Sequence, residues 1–224
     1  MSKQKQMTSS KGRFRWHPKL YPISLKIGLL LMTLCSSILS NGQASVIAGW
    51  NTSNIRSNVS LGETKPRTNY TGGLSVRLNP FEKAPKINVI FGVEMAEKGY
   101  EQVLDKSYNF RFLYLMLPVQ LCYSPIEEIS FIGGLELSTM AWSNIEYYQE
   151  TYNTSDIGLS FEVDLFPNKI LSLYSRFTYG LIPMINYYDI DQFGNFKSEI
   201  KDLKNMNLII GLKFNMSQET LNDY

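Results

Sequence analysis

The sequence is poor in the side chains on which hydrolytic and metal-dependent chemistry depends. It has two cysteines and one histidine in 224 residues. Cys35 and His17 both fall in the first 44 residues, which leaves Cys122 alone in the rest of the chain. One cysteine cannot build an intrachain disulfide or a cysteine zinc site. Once the first segment is removed, most Ser–His, Asp–His and metal-assisted mechanisms lack a base or a ligand.

Acidic residues are also absent from the first 44 residues, which hold seven of the 22 basic ones. The remaining 180 residues carry 15 basic and 20 acidic residues, a net charge of −5. Because nucleic-acid binders need a concentrated basic face to neutralise phosphates, we expect no nucleic-acid partner.

The segment Lys19–Ala44 has the three parts of a secretory signal. A basic region precedes the apolar stretch Ile27–Leu39, and the small-residue ending Asn41–Ala44 follows it. The apolar stretch is shorter than the roughly 20 residues of a transmembrane helix, although an uncleaved anchor is the alternative. We therefore expect a signal peptide and basic leader over residues 1–44 and one domain over residues 45–224.

Residues beyond the leader alternate between apolar and polar at period two, which is typical of β-strands and not of helices. In Ile157–Leu165, for instance, the apolar side chains occupy every odd position. Eight such segments are predicted: Val46–Asn51, Thr71–Leu78, Ile87–Lys98, Phe112–Tyr123, Ile129–Met140, Ile157–Leu165, Leu171–Leu181 and Asn207–Met216.

Alternation alone fits either a soluble barrel or a membrane barrel, so the composition of the polar faces decides between them. These faces are rich in glycine and serine, which suits the narrow interior of an eight-stranded barrel. They also carry four acids and four bases that can neutralise one another inside a closed barrel. The candidates for this interior ion network are Arg77, Glu94, Lys98, Glu136, Glu162, Asp164, Arg176 and Lys213.

Connections between the segments alternate in predicted length, as in outer-membrane barrels. Short turns are predicted at Asn79–Lys86, Ser124–Glu128 and Phe166–Lys169. Longer outer loops are predicted at Thr52–Tyr70, Gly99–Asn109, Ala141–Ser155 and Ile182–Asn205. The sequence therefore favours an all-β fold, an eight-stranded antiparallel up-and-down transmembrane β-barrel preceded by a signal peptide.

Several stretches resemble the small outer-membrane β-barrel proteins of Bacteroidota, which include the PorT-like proteins. They are Ala48–Asn51, Gly72–Val76, Phe91–Tyr100, Phe112–Val119 and Ile132–Leu135, and the closing Gly211–Met216 is similar to the recognition signal of barrel-assembly machinery. The resemblance implies the outer membrane of a Gram-negative bacterium, contact with its lipid and insertion by that machinery. A PorT-like role as subunit of a protein secretion machine is one alternative that it raises.

No catalytic, cofactor or metal site is predicted. Glu162 and Asp164 beside Arg176 are a conceivable acid pair, but a structural ion network is the favoured interpretation. Eight strands leave no wide pore. The expected role is structural or an interaction through outer loops with a protein partner. Candidate contacts there are Tyr187, Tyr188, Asp189, Asp191 and Phe193. The main alternative is a secreted soluble lipocalin-like barrel that binds an apolar ligand. In that barrel the apolar face of each strand would point inward and the polar face would meet water.

Overall fold

The structure, a computed structural model, describes residues 42–57, 63–81, 84, 86–103, 105–146, 152–190 and 196–216. These residues form ten strands: β1 Gly42–Arg56, β2 Glu63–Leu78, β3 Ile87–Val103, β4 Ser107–Ile126, β5 Ile129–Ser143, β6 Ser155–Leu165, β7 Leu171–Gly180, β8 Ile185–Ile190, β9 Phe196–Asp202 and β10 Lys204–Met216. Among the described residues there is no helix long and apolar enough to cross a membrane.

Eight of the strands close into a barrel in the order β1-β10-β7-β6-β5-β4-β3-β2, and each neighbouring pair is antiparallel. The closing pair is β1 with β10, in register from Ala44 opposite Met216 to Arg56 opposite Lys204. Closure leaves the barrel without a free edge strand, so its backbone groups pair within the sheet. The predicted up-and-down barrel of eight antiparallel strands is confirmed.

Seven of the eight predicted segments lie within a barrel strand that extends further along the chain, and the eighth, Leu171–Leu181, runs one residue beyond the end of β7 at Gly180. β1 begins at Gly42, three residues before the predicted start of the domain at Ser45. β3 and β4 continue until only residues 104–106 separate them, so most of the predicted loop Gly99–Asn109 is strand. Period-two apolar patterning stops where side chains leave the hydrocarbon, and it therefore reports the membrane-facing length, not the whole strand.

The predicted last loop, Ile182–Asn205, also contains regular structure. β8 and β9 pair with each other as a separate two-stranded sheet outside the barrel. The sequences of β8 and β9 do not alternate regularly between apolar and polar residues, which is why alternation did not reveal them.

Apolar side chains cover the outside of the barrel, and polar side chains fill it. On β4 the outward positions run from Leu113 to Tyr123 at every second residue, while Gln120 and Cys122 between them are buried. The same inversion is seen on β10, where Ile210 is 49% exposed and Lys213 is 4% exposed. A soluble lipocalin-like barrel needs the opposite arrangement, so that alternative is wrong. The wall is that of a transmembrane β-barrel.

A charged side chain should destabilise the barrel when it is placed in the middle of the lipid-facing wall, and it should have little effect at the end of a strand. Val119 lies near the middle of the apolar stretch of β4, and Ser107 lies exposed at the end of the same strand. We expect Val119→Arg to lower the free energy of unfolding by about 2–4 kcal/mol. The measurement is equilibrium urea unfolding in phosphatidylcholine vesicles. Ser107→Arg is the control, and equal effects of the two substitutions would contradict the membrane-facing assignment.

Candidate functional site: the charged interior of the barrel

The structure places all eight residues of the candidate ion network on the inner face of the barrel. Seven of them are at most 4% exposed: Glu94, Lys98, Glu136, Glu162, Asp164, Arg176 and Lys213. Arg77 lies nearer to the inner mouth, and its side chain is 13% exposed. They project inward because each occupies the face opposite to the lipid-facing residues of its strand.

Six of these side chains form one continuous chain of ion pairs across five strands. Arg176 donates from Nε to Glu162 at 2.5 Å and from Nη1 to both carboxylate oxygens of Glu94 at 2.8 Å. Lys213 donates to Glu162 and, at 2.9 Å, to Asp164. Arg77 ends the chain, with Nη2 at 3.4 Å from Asp164 Oδ2. Each carboxylate therefore faces at least one cation, as burial of charge requires.

The other two predicted residues form a second pair nearer to the outer mouth. Lys98 Nζ donates to Glu136 Oε1 at 2.9 Å, and the Thr178 hydroxyl lies at 3.2 Å from the second oxygen of Glu136. Tyr114 presents its ring 5.0 Å from the Lys98 ammonium. A ring face attracts a desolvated cation, so this aromatic contact adds to the ion pair.

Tyr174 plays the same part in the larger network. Its ring centre is 5.0 Å from Lys213 Nζ and 5.7 Å from Arg176 Cζ. The ring is 1% exposed and packs against Ile47 and Ile209. The network is therefore held between an aromatic face and aliphatic side chains, with little room for bulk water.

Asp156 belongs to the interior but is not among the eight predicted residues. It is 6% exposed and accepts a hydrogen bond from Asn205 Nδ2 at 3.0 Å. The backbone N–H of Ile182 donates to it at 3.3 Å. Asp156 is two residues before Gly158 on the same face of β6, so extending the alternation by one step would have found it.

Above the charged region, apolar side chains close the outer mouth of the barrel. The buried cluster comprises Ile55, Ala96, Tyr100, Phe112, Tyr114, Met116, Met140, Tyr152, Met184 and Leu203. Tyr152, Met184 and Leu203 come from the outer connections. Leu203 has a left-handed φ of 65°, which a leucine seldom adopts, and its side chain is buried in this cluster at 3% exposure. Burial also raises the pKa of the Tyr152 phenol.

The inner mouth is open and polar. A cavity of about 570 Å³ is lined by Gln43, Arg77, Asn79, Lys86, Asn88, Ser124, Pro125, Ile126, Glu127 and Asn168. Arg77 is the only member of the ion network in its lining. Through Arg77 the lining of this cavity adjoins the ion network.

The arrangement offers little for catalysis. Glu162 and Asp164, the conceivable acid pair, are both bonded to Lys213 and each has a second cation, Arg176 or Arg77. Acids that are paired with two cations in this way are poor general bases. The described part of the chain contains no group of three or more His, Cys, Asp or Glu side chains that could hold a metal ion.

Three of the five predicted outer-loop contacts lie on a strand of the separate two-stranded sheet. Tyr187, Tyr188 and Asp189 fall on β8 of the outer hairpin. Asp191 and Phe193 lie outside the described residues. The structure thus brings the eight interior residues together and assigns three of the five loop residues to a strand.

Comparison with solved structures gives small outer-membrane barrels. They include the attachment invasion locus protein Ail of Yersinia pestis (14% identity, TM-score 0.43, covering 79% of this chain and 99% of Ail). Others are Neisserial surface protein A (12%, 0.41, 77% and 96%) and OprG of Pseudomonas aeruginosa (13%, 0.43, 79% and 96%). These similarities are too low to transfer a function. No protein-family model matches the sequence, and a search of curated proteins gives no match.

Removing the central cation should destabilise the barrel. Arg176→Met deletes the only hydrogen-bond partner shown for the Glu94 carboxylate among the described residues. Because an uncompensated buried charge remains, we expect a loss of about 3–5 kcal/mol in the free energy of unfolding, measured by urea denaturation of the refolded barrel.

The double variant Arg176→Met with Glu94→Gln tests the cause of that loss. It removes the orphaned charge and should recover a large part of the stability, since a neutral amide costs less to bury than a carboxylate. A loss below about 1 kcal/mol for Arg176→Met alone would instead show that water solvates these groups.

Proposed function

We propose that the protein is an integral outer-membrane β-barrel of a Gram-negative bacterium that acts as a sealed, rigid base for an outer-surface interaction hairpin. One observation carries the proposal: the apolar side chains lie on the outside of the barrel while Arg176, Glu94 and Glu162 are paired inside it. Only a hydrocarbon environment makes that inversion stable.

The filled interior supports an interaction role over transport. The ion network occupies the middle of the barrel, and the apolar cluster occupies its outer mouth. Eight-stranded barrels have an interior just wide enough for side chains. Solutes therefore have no route through the described interior, and the outer surface is left as the place for function.

The outer hairpin is well suited to hold a partner. Its base is fixed to the barrel, because Met184 N–H donates to Leu203 O at 2.9 Å and both side chains belong to the buried mouth cluster. Asn153 ties the base further through a 2.7 Å bond to Pro183 O. Within the described residues, β8 and β9 pair only with each other. Each strand thus offers a free edge, which a peptide can extend as a further strand.

A PorT-like role in a secretion machine is the more specific proposal, and it has narrower support. It depends on the resemblance of stretches such as Phe91–Tyr100 and Phe112–Val119. In the structure these stretches lie on β3 and β4, which form barrel wall. A stable complex with other secretion components, isolated from native membranes, would be expected for this role.

Localisation can be tested directly. The full chain, expressed with its leader, should remain in carbonate-washed outer membranes and change its mobility on a denaturing gel after boiling. Closed barrels resist unfolding by cold detergent, which gives the mobility change its physical basis. Recovery of the protein in the periplasm or the medium would overturn the proposal.

The interaction role can be tested by site-specific photocrosslinking in cells. A photoreactive amino acid at Tyr188 or Glu199, which face each other across the hairpin, should give a discrete adduct with a partner. The control position is Asn168 in the exposed inner turn. Replacing residues 187–200 by a short Gly/Ser linker removes both photoreactive positions, and it should leave heat modifiability intact because the hairpin lies outside the barrel. Equal adducts at Asn168, or none at the hairpin, would contradict this role.

A further inference from the structure

A groove of about 480 Å³ crosses the outside of the barrel on β2, β3 and β4, toward the outer end. It is lined by Asn69, Tyr70, Thr71, Gly72, Met95, Glu97, Arg111 and Leu113. The interior network and the outer hairpin do not involve these residues. The groove is therefore a second feature of the molecule, on the surface that faces lipid.

The groove lies where β2 and β3 lose their regular pairing. Their register shifts between Pro66 and Thr71, so one extra residue of β2 stands opposite β3 there. The β3 backbone in this gap is bonded from inside by β1: Asn51 Nδ2 donates to Glu97 O at 2.8 Å, and Ser53 Oγ bonds to both Gly99 O and Gly99 N. Because these hydrogen bonds hold the β3 backbone in position, the gap in the pairing of β2 with β3 is a defined feature of the barrel wall.

The half of the groove nearer to the middle of the barrel is apolar, and Gly72 leaves its base without a side chain. Gly72 faces outward opposite Met95, and a Cβ added there would meet one backbone oxygen, of Ile47, at an ordinary 3.5 Å. The absent side chain leaves a slot between Tyr70, Met95 and Leu113. A slot of this composition on a lipid-facing wall fits an acyl chain.

The other half of the groove is charged. Arg111 donates from Nε and Nη2 to the two oxygens of Glu97, both at 2.7 Å. Asn69, with its amide nitrogen turned toward Glu97, donates at 3.0 Å. Arg67 crosses β3 to donate to Asn109 Oδ1 at 2.6 Å.

One of the two guanidinium groups has no bonded carboxylate. Arg111 is paired with Glu97, whereas Arg67 forms no ion pair in the described part of the chain. The Nε of Arg67 is buried without a hydrogen-bond partner. The site therefore holds a guanidinium group without a counter-ion and a donor without an acceptor. Such a donor is costly unless a ligand or water satisfies it.

Aromatic side chains locate the groove at the membrane interface. Trp50 faces Tyr70 across β1 and β2, and Trp142 faces Leu113 across β4 and β5. The three aromatic residues are 47–76% exposed. Tryptophan and tyrosine concentrate at headgroup depth, so the arginines stand at the level of lipid phosphates.

From this geometry we infer that the groove binds a phosphate-bearing lipid of the outer leaflet. The phosphate bonds to Arg67 and to the free N–H groups of Arg111, and one acyl chain lies over Gly72 between Met95 and Leu113. Guanidinium groups match phosphate geometry, and Glu97 holds Arg111 in position. The inference rests on the proposed location in a membrane. It goes beyond that proposal by naming a class of ligand for the lipid-facing surface.

The test is native mass spectrometry of the detergent-solubilised barrel with monophosphorylated lipid A as the probe. The unaltered protein should retain one lipid, and the same lipid without its phosphate should bind at least about fivefold more weakly. Arg67→Gln should lower retention by about fivefold, as expected for one basic residue at an anionic lipid surface. This substitution leaves no acidic side chain without its ion-pair partner, because Arg67 has no such partner in the described structure.

Gly72→Leu tests the acyl slot, and Gly133→Leu is its matched control. Gly133 faces outward on β5, where an added Cβ would meet only Ser160 O at 3.9 Å, and it lies outside the groove. Gly72→Leu should reduce retention while Gly133→Leu does not. Equal retention by Arg67→Gln, by Gly72→Leu and by the unaltered protein would overturn the site, as would displacement of the lipid by an equal concentration of inorganic phosphate.

Heat modifiability of every variant separates this test from the proposed function. A variant that is folded and membrane-inserted but has unchanged lipid retention refutes the lipid site alone. Absence of the unaltered protein from the membrane refutes the proposed location.

Discussion

The pairing of β1 with β10 is the constraint on which the rest of the structure depends. Hydrocarbon offers no hydrogen bonds, so a sheet that faces lipid has to pair its first strand with its last. In this protein the pairing extends from Ala44 opposite Met216 to Arg56 opposite Lys204. Eight strands closed in this way enclose a narrow space, and that space determines which side chains the inner faces accept.

The narrow interior explains why six of its charges form one network. Glu162 lies close to both Arg176 and Lys213, and Lys213 continues to Asp164. The four ions in the middle of the network, Glu162, Asp164, Arg176 and Lys213, each face two opposite charges, which offsets their loss of hydration better than a single contact. Tyr174 and Tyr114 add ring faces where no further acid fits. The interior is thereby kept neutral enough to be stable without bulk water.

The fold was predictable because the bilayer imposes one rule on every strand. Alternation placed Leu208 and Ile210 outside and Lys213 inside, as the structure shows. The same rule brought the eight interior charges together, although their partners could not be assigned from sequence. Arg176 and Glu94 are 82 residues apart and meet only through the strand order of the closed barrel. The β8–β9 hairpin and the β2–β3 register shift were not predictable. The hairpin strands do not alternate regularly between apolar and polar residues, and the bonds at the shift join Asn51 and Ser53 to β3 residues that are 46 positions away.

A barrel with a filled interior can act only through its surfaces, and its three surfaces differ in kind. The inner mouth is a polar cavity with Arg77 in its lining, the outer mouth is closed by apolar side chains, and the wall carries a groove that is partly apolar and partly charged. Apolar closure of the outer mouth also joins Met184 and Leu203 to the barrel core, so the outer hairpin begins from a fixed base. A fixed base lowers the ordering entropy that a partner has to offset on binding. The packing that closes the outer mouth is therefore the same packing that fixes the base of the outer hairpin.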